Sequence, residues 1–407
     1  MLQLRHTLAP VALIALAGLD APATRADTIT DWSEKTAQIA SAEAMTPRAV
    51  MTAALAQVAV YEAVNGITRK YPGARLDLGA ARDASVDAAV AAASRVVLTK
   101  FAPASQSARI EEEYRTALAA VADGEAKQRG IAVGELAAQK VMESRAQDNW
   151  NAKESYRSRT TPGKYIPTAA PVMSHWPQRT GWVIERADQF RPGPPAALDS
   201  ARWARDYEEI RSLGARDNSG RTAEQTEIAR VWQTTAPIIY FQVVKSVSSQ
   251  AGRDPTRNAR LYSTVTQAMD DALMTIFDAK YTYEFWRPVT AIRNGDLDGN
   301  DATQRDASWV PFIETPMHPE YPCAHCVLAG AVGAVLKADL GKDPVPVLST
   351  TSPTAPGVVR KWNSVDAFVQ EVSNGRIYDG VHYRYSTEVG SDMGRKVGEL
   401  AVSRNMR

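Results

Sequence analysis

The chain has 407 residues, and its 47 lysines and arginines are matched by 46 aspartates and glutamates. This balance leaves no excess charge to attract nucleic acid or an anionic surface, so we expect small molecules or other proteins as partners. No segment after residue 26 is apolar enough to predict a membrane span. The roughly 380 residues that follow are more than one ordinary hydrophobic core accommodates, so we expect two packed units.

The first 26 residues have the features of a secretory signal peptide. Arg5 supplies a basic start, residues 8–19 form an apolar run, and the small residue Ala26 suits a signal peptidase. The alternative is a membrane anchor, but the run is well short of the roughly 20 residues that a bilayer span needs. We therefore predict that the mature chain starts near Asp27 and is periplasmic or secreted.

Helix-favouring composition dominates the next part of the chain. Segments 83–100 and 106–147 are rich in helix-forming residues and lack internal proline, whereas residues 160–200 hold many prolines and show little periodicity. We therefore predict an N-terminal helical region over 27–159, a proline-rich connection over 160–200 and a C-terminal catalytic domain over 201–407.

Helical patterns continue in the C-terminal part. Thr222 and Gln225 fit a capping box, Gly341 suits the C-cap of a helix that follows Pro322, and Ser386 suits the N-cap of the last helix. No segment shows a convincing alternation of apolar and polar residues. The fold class that we predict is all-α, built from helical bundles.

Three short segments carry residues that suit chemistry on an anion. Lys280 and Arg287 lie seven positions apart in "KYTYEFWRP", so on a helix both would lie on nearly the same face. His325 lies at the predicted start of a helix, where free N–H groups favour anions. Arg376 precedes His382 by six positions in "GRIYDGVH", and we expect a tight loop, eased by flanking glycines, to bring them together.

Taken singly, each of these features has a plainer explanation. Lys280 and Arg287 could be two solvated surface cations, and a lone histidine is more often a capping or core residue than a catalyst. Taken together, three cations and two histidines around one centre would form a cage for a phosphate-like oxyanion, with histidine as nucleophile or ligand and as acid.

The three segments, in this order, resemble the motifs of the superfamily that unites type 2 phosphatidic acid phosphatases, bacterial acid phosphatases and vanadium-dependent haloperoxidases. The motifs are lysine, six residues and Arg-Pro; then Pro-x-x-His; then arginine, five residues and histidine. The match covers about residues 220–403, and the "QFRPGPP" and "HPEYP" contexts are more similar to the haloperoxidase-related bacterial branch. The resemblance implies a C-terminal helical bundle that carries the site.

The resemblance also implies roles for single residues. Lys280, Arg287 and Arg376 would bind the oxygens of phosphate or vanadate, with His325 as the acid–base. His382 would be the phosphate-attacking nucleophile or the direct vanadium ligand. His318, seven residues before His325, is similar to a histidine of bromoperoxidases and would tune halide preference toward bromide; the alternative is a loop histidine with no halide role.

The chain departs from the pattern of the superfamily at three places. The usual Pro-Ser-Gly-His is Pro322-Cys323-Ala324-His325 here, so that Cys323 and Ala324 occupy positions that bind the oxyanion. Ser386 replaces the aspartate that usually follows the nucleophilic histidine by four, and it would orient His382 less strongly or only cap its helix. Gly375 replaces the serine that usually precedes the arginine.

The chain's only two cysteines, Cys323 and Cys326, lie inside the second motif. A zinc site would consume His325 and lacks a second ligand pair, and a thioredoxin-like pair lacks its βαβ setting. The cysteines are then bridged or inert. We predict a Cys323–Cys326 disulfide, because an oxidant made at the site would oxidise a free thiol irreversibly and an exported protein permits the bond.

Three functions therefore follow from the residues and the resemblance. The first is a vanadium-dependent haloperoxidase, in which vanadate on His382 binds peroxide, His325 and Lys280 polarise it, and a halide attacks. The second is an acid phosphatase that works through a phosphohistidine on a phosphate ester and needs no cofactor. The third is a noncatalytic phosphate or vanadate binder. The sequence leaves the oligomeric state open, a homo-oligomer included.

Overall fold

The computed structural model describes residues 27–43, 45–72 and 76–406, and the predicted signal peptide lies outside them. Within these ranges the chain forms thirteen α-helices and a single two-stranded hairpin. The helices of the N-terminal region are α1 (Thr28–Ser41), α2 (Thr46–Thr68), α3 (Val86–Phe101), α4 (Ser107–Ala119) and α5 (Glu125–Ser144).

Helix α2 lies at the centre of the N-terminal region. Although no membrane span is predicted after residue 26, α2 is long and apolar enough to cross a membrane, but most of its residues are buried inside the protein. A core helix of a large soluble protein has the same apolar character on all sides. The apolarity of α2 is therefore accounted for by packing.

Residues 145–200, which follow α5, form an irregular segment that contains one short 3₁₀ turn, Trp176–Gln178. It is tied to the rest of the protein by buried carboxylates. Asp271 accepts hydrogen bonds from the backbone N–H groups of residues 182–184 at 2.7–3.0 Å, and Arg179 pairs with Asp270 at 2.6 Å. These contacts fix the connection against the longest helix of the chain.

The remaining helices build the part that carries the three motifs. They are α6 (Ala201–Leu213), α7 (Ala223–Val231), α8 (Pro237–Ser248), α9 (Pro255–Tyr283), α10 (Pro288–Arg293), α11 (Ala324–Leu340), α12 (Val365–Tyr378) and α13 (Arg384–Asn405). The capping box of Thr222 and Gln225 is present, and Gly341 follows α11 as its C-cap. The start of α13 differs from the prediction, since Tyr383 is its N-cap and Ser386 lies inside its first turn.

A hairpin of β1 (Leu348–Ser352) and β2 (Ala355–Trp362) lies between α11 and α12, where we predicted no strand. Leu348, Thr350 and Ser352 form the buried face of β1. The Thr350 hydroxyl donates to the Ile239 carbonyl at 2.8 Å. The alternation is hidden in the sequence because two of the three buried side chains are polar. The prediction of an all-α fold nevertheless holds for the architecture.

One cluster of buried apolar side chains runs from α1 to α13, with α2, α9 and α11 contributing many of its members. A second cluster, rich in tryptophan and tyrosine, packs α6 and α10 against the chain between α12 and α13. Helices α11 and α13 approach closely because each presents glycine to the other, as at Gly330 and Gly394. The ends of α9, α11 and α12 are thereby fixed around one point in the interior.

Candidate oxyanion site

The structure brings the cationic and histidine residues of the three motifs together. Arg287 lies 3.3 Å from His382 and 3.0 Å from His318, and the His382 N–H lies 3.3 Å from the Arg376 carbonyl. The charges of Lys280, Arg287 and Arg376 also lower the pKa values of His325 and His382, as expected for groups that lie close together. All are buried except His318, which is partly exposed. We call this group the cage; its members are Lys280, Arg287, His318, His325, Arg376 and His382.

Lys280 and Arg287 reach the cage from the end of α9 and the start of α10. The helix stops at Tyr283 because Glu284 adopts the left-handed conformation with φ 54°. Lys280 Nζ then donates to the carbonyls of Pro319 and Glu320 at 2.9 and 2.7 Å, and Arg287 Nε donates to the carbonyl of His318 at 2.9 Å. Three consecutive carbonyls thus hold two cations.

These two cations are buried without a carboxylate within ion-pair distance in the described part of the chain. Burial, followed by the charges of Arg287 and Arg376, holds the pKa of Lys280 well below its usual value. Burial likewise lowers the pKa of Arg287 to about 10. Because carbonyls leave the charge unneutralised, an anion at this point would offset the cost of burying both groups.

Arg376 and His382 come together where α12 ends. Gly380 adopts φ 78°, and a Cβ there would lie 2.3 Å from the carbonyl oxygen of Gly214, so only glycine fits. The returning chain places the His382 N–H 3.3 Å from the Arg376 carbonyl. The predicted loop is therefore present, but Gly375 is not part of it. Gly375 lies inside α12 and makes room for the Trp232 side chain, 3.1 Å from its missing Cβ.

Arg376 is the cage cation that has an acidic partner, Asp379. Its NH1 donates to a carboxylate oxygen of Asp379 and to the Trp232 carbonyl. Burial raises the pKa of Asp379 to about 7, although the charges of Arg376 and Arg221 oppose the rise. Asp379 was not among the residues that we selected from the sequence, where it appears only as one of many loop aspartates.

His382 contacts a second unselected carboxylate, Glu320. Its Nδ1 lies 2.8 Å from Glu320 Oε1, and its Nε2 lies 3.3 Å from NH1 of Arg287. Burial and the charges of Arg287, Lys280 and Arg376 hold the pKa of His382 well below its usual value. No hydrogen bond joins Ser386 to His382 among the described residues; the buried Ser386 hydroxyl has no hydrogen-bond partner there, but it lies near enough to Glu320 to lower the pKa of that carboxyl.

His325 occupies the second position of α11. Its backbone carbonyl accepts from the Tyr240 hydroxyl at 3.2 Å. Its Nε2 is buried and has no hydrogen-bond partner among the described residues. Burial, with Arg376, Lys280 and Arg287, lowers its pKa far below the usual value, so the free ring is a neutral base.

His318 packs against Arg287 and Phe277. The guanidinium NH2 lies 3.0 Å from Nδ1, and the same Nδ1 lies 3.3 Å from the carbonyl oxygen of Pro319. The ring meets Phe277 edge to face at 5.3 Å. His318 therefore holds an arginine of the cage and is more than a solvent-exposed loop residue.

The two cysteines form a disulfide at the start of α11, with their Cα atoms 5.4 Å apart. The Cys323 N–H donates to the carbonyl of Ser386 at 3.2 Å. This corrects the expectation that Cys323 binds the oxyanion, because its N–H and its sulfur are already engaged. Ala324 is buried at the first position of the helix, where a backbone N–H has no partner within the helix.

The donors of the cage fit a tetrahedral oxyanion. Three cationic side chains surround the site, and one of them, Arg376, has a buried Nε without a hydrogen-bond partner among the described residues, so this nitrogen is free to donate to a bound anion. A group of nitrogen donors with few acceptors suits phosphate or vanadate and does not suit a bare metal cation. Such an arrangement can hold an oxyanion, offer it the lone pair of a neutral histidine and exchange protons with it through another.

Comparisons with known proteins agree with this geometry. Residues 260–407 match the family model of the VCPO second helical-bundle domain. Over 274 residues, 51% of this chain, the sequence is 23% identical to vanadium chloroperoxidase of Curvularia inaequalis, and the match spans only 45% of that relative's length.

Two solved structures are similar over almost the whole chain. A bacterial vanadium-dependent iodoperoxidase aligns with a TM-score of 0.78 and 23% identity, covering 92% of this chain and 95% of its own. A holo-type bacterial vanadium-dependent chloroperoxidase aligns with a TM-score of 0.73 and 16% identity, covering 95% of each chain. Their likeness confirms the predicted helical-bundle fold.

Proposed function

We propose that this chain is a vanadium-dependent haloperoxidase of the superfamily that unites vanadium haloperoxidases and type 2 phosphatidic acid phosphatases. It would oxidise a halide ion with hydrogen peroxide. The observation that supports this most is the cage itself, in which Lys280 and Arg287 are buried against neutral carbonyls with no ion-pair partner among the described residues. The similarity to haloperoxidases along the whole fold favours this activity over ester hydrolysis.

Vanadate is the cofactor that the cage residues fit. Lys280, Arg287 and Arg376 would hold its oxygens, and His382 would bind it through Nε2. When bound, vanadate activates hydrogen peroxide toward attack by a halide. A negatively charged group at this point would also raise the pKa of Lys280 and keep the ammonium protonated, since opposite charges favour ionisation.

The chain's own residues would supply proton transfer and exclusion of water. His325 presents an unpartnered, neutral Nε2 to the cage, so it would take up and return the proton of the incoming peroxide. Lys280 would donate to developing negative charge while its other hydrogens stay on Pro319 and Glu320. Because these groups are buried, their interactions with charge are stronger than they would be in water.

We propose bromide as the preferred halide. The basis is His318, whose position is similar to that of a histidine in bromoperoxidases and whose ring lies against Arg287. Relative rates of iodide, bromide and chloride oxidation by the wild type and by His318→Phe would test this. Chloride oxidation equal to bromide oxidation in the wild type would contradict it.

One paired assay tests the proposed activity. Bromide oxidation with peroxide and phosphate-ester hydrolysis are measured on the same protein, with and without vanadate. We expect oxidation that depends on vanadate and little hydrolysis. Hydrolysis without vanadate, and no oxidation with it, would identify a phosphatase. Binding of vanadate without either activity would identify a noncatalytic binder.

We also propose that the protein is exported and that residues 1–26 are removed. Asp27 then stands at the start of the mature chain, and its carboxylate caps α1 by accepting from the Thr30 N–H at 2.8 Å. Intact-mass measurement of protein secreted by the native host should give a chain that begins near Asp27. A mass that includes Met1 would contradict export by this route.

A further inference from the structure

We infer that Glu320 is a positioning residue for His382 and does the work of the aspartate that this chain lacks at position 386. The inference rests on the proposed oxyanion site. Glu320 comes from the chain before α11, whereas position 386 lies on α13, so the same task is carried out from a different element. Glu320 is fully buried.

Hydrogen bonds at both ring nitrogens define the proton on His382. NH1 of Arg287 lies 3.3 Å from Nε2, and because arginine only donates, Nε2 accepts. The proton is therefore on Nδ1, which donates to Glu320 Oε1 at 2.8 Å. The lone pair of Nε2, the atom that would bond to the oxyanion, thus faces the cage.

Glu320 is itself held by its neighbours on three sides. Its Oε1 also accepts from the Tyr383 N–H at 3.2 Å, its own N–H donates to the Phe285 carbonyl at 2.9 Å, and its carbonyl accepts from Lys280 at 2.7 Å. One residue thereby connects the ligand histidine, the residue after it and a cage cation. A rigidly held carboxylate can orient an imidazole ring and fix its tautomer.

Ser386 lies beside the same carboxylate, which makes an exchange of roles testable. The serine hydroxyl favours the ionised form of Glu320, so a side chain at position 386 reaches the surroundings of that carboxylate. An aspartate there would approach His382 from α13. With Glu320 still present, two carboxylates would share one buried site and at most one would ionise readily.

The test compares Glu320→Gln, Ser386→Asp and the double variant with the wild type. Glutamine is nearly isosteric, but its amide can offer either a donor or an acceptor to Nδ1 and no longer dictates the tautomer. The ¹⁵N shifts of the His382 ring are measured without vanadate, after assignment with His382→Ala. Affinity for inorganic vanadate is measured on the same samples.

We expect the wild type to show a single Nδ1–H tautomer. Glu320→Gln should show a mixture and a vanadate affinity about 10- to 100-fold weaker. The double variant should regain the tautomer and part of the affinity, whereas Ser386→Asp alone should bind vanadate less well than the wild type. Glu320→Asp keeps the charge and should keep the tautomer.

Asp339→Asn is the matched control, because Asp339 is a buried carboxylate that pairs with Arg253 at 2.8 Å at the other end of α11. It should lower the melting temperature and leave the His382 shifts unchanged. A Glu320→Gln protein with wild-type shifts and wild-type vanadate affinity would overturn the inference. Neither readout requires halide oxidation. The role of Glu320 can therefore be tested even if the protein proves not to be a haloperoxidase.

Discussion

Two of the three histidines of the cage, His382 and His325, differ in what surrounds their Nε2 atoms. In His382 this atom accepts from Arg287, while the opposite nitrogen is held by a carboxylate. In His325 it has no partner among the described residues. A nitrogen with an ordered lone pair suits bonding to an oxyanion, whereas an unengaged nitrogen suits proton exchange.

Alanine at each histidine should therefore remove a different property. His382→Ala should abolish turnover and weaken vanadate binding strongly, because the bonding atom is gone. His325→Ala should lower turnover by about 100-fold or more and change vanadate affinity only slightly. Calorimetric titration with vanadate and bromide-oxidation rates on both variants provide the check.

The stability of these variants is the control for that comparison. His382 is buried, and its loss leaves Glu320 without its closest partner, so we expect unfolding to become easier by about 1–3 kcal/mol. Both variants should still unfold cooperatively. If the two variants lost vanadate binding to the same extent, the division of roles would be wrong.

At the scale of elements, predictions held where the determinants were local. The capping box at Thr222 and the glycine after α11 are decided within a few residues, and both are present. Gly375 and Ser386 were misjudged because their surroundings come from elsewhere: Trp232 packs on the first, and Glu320 lies beside the second. Sequence patterns within a few residues do not reveal partners that are distant along the chain.

Glycines between α11 and α13 set the distance between α11, which carries His325, and α13, which begins two residues after His382. A Cβ at Gly394 would lie 1.9 Å from the Val327 carbonyl oxygen, closer than any real contact. Gly394→Ala should force the helices apart, destabilise the protein by about 1–3 kcal/mol and weaken vanadate binding. Gly193→Ala, where a Cβ meets open space, is the control. Equal melting temperatures for the two variants would contradict this packing argument.

The disulfide belongs to the start of α11, next to His325. Both cysteines are fully buried, and their Cα distance is ordinary for a disulfide. Thiol titration of exported protein, denatured without reductant, should find almost no free thiol. Two free and unmodified thiols in active enzyme would argue for the phosphatase, which makes no oxidant and could keep them.

At the scale of the whole molecule, the cage combines residues of α9, α11 and α12 with Arg287, His318 and His382 from the chain between helices. The three motifs and their order were enough to predict which cations and histidines meet. The carboxylates Glu320 and Asp379 were missed because nothing in their spacing separates them from solvated acids; only the fold shows that both are fully buried. These two acids make the charge of the cage depend on pH.

Burial raises the pKa of both Glu320 and Asp379 to about 7. Below that pH both carboxyls are mainly neutral and the cage keeps the full charge of its cations; above it, up to two negative charges appear. Lys280, whose pKa is lowered, loses its proton as pH rises further, and the histidines, also with lowered pKa values, gain protons only as pH falls. As pH rises, the loss of a proton from any of these groups therefore makes the net charge of the site less positive.

Oxyanion affinity should consequently fall as pH rises. Since an anion favours the protonated forms, its binding takes up protons, and we expect the affinity for sulfate to drop about tenfold or more between about pH 6 and pH 8. Sulfate is the suitable probe because its own charge stays constant over this range, unlike that of phosphate or vanadate. Isothermal titration at several pH values, in buffers of different ionisation enthalpy, gives both the affinity and the proton uptake. Asp379→Asn should flatten the profile by removing one titrating group, whereas an affinity that is constant or rises with pH would show that the carboxyls stay ionised.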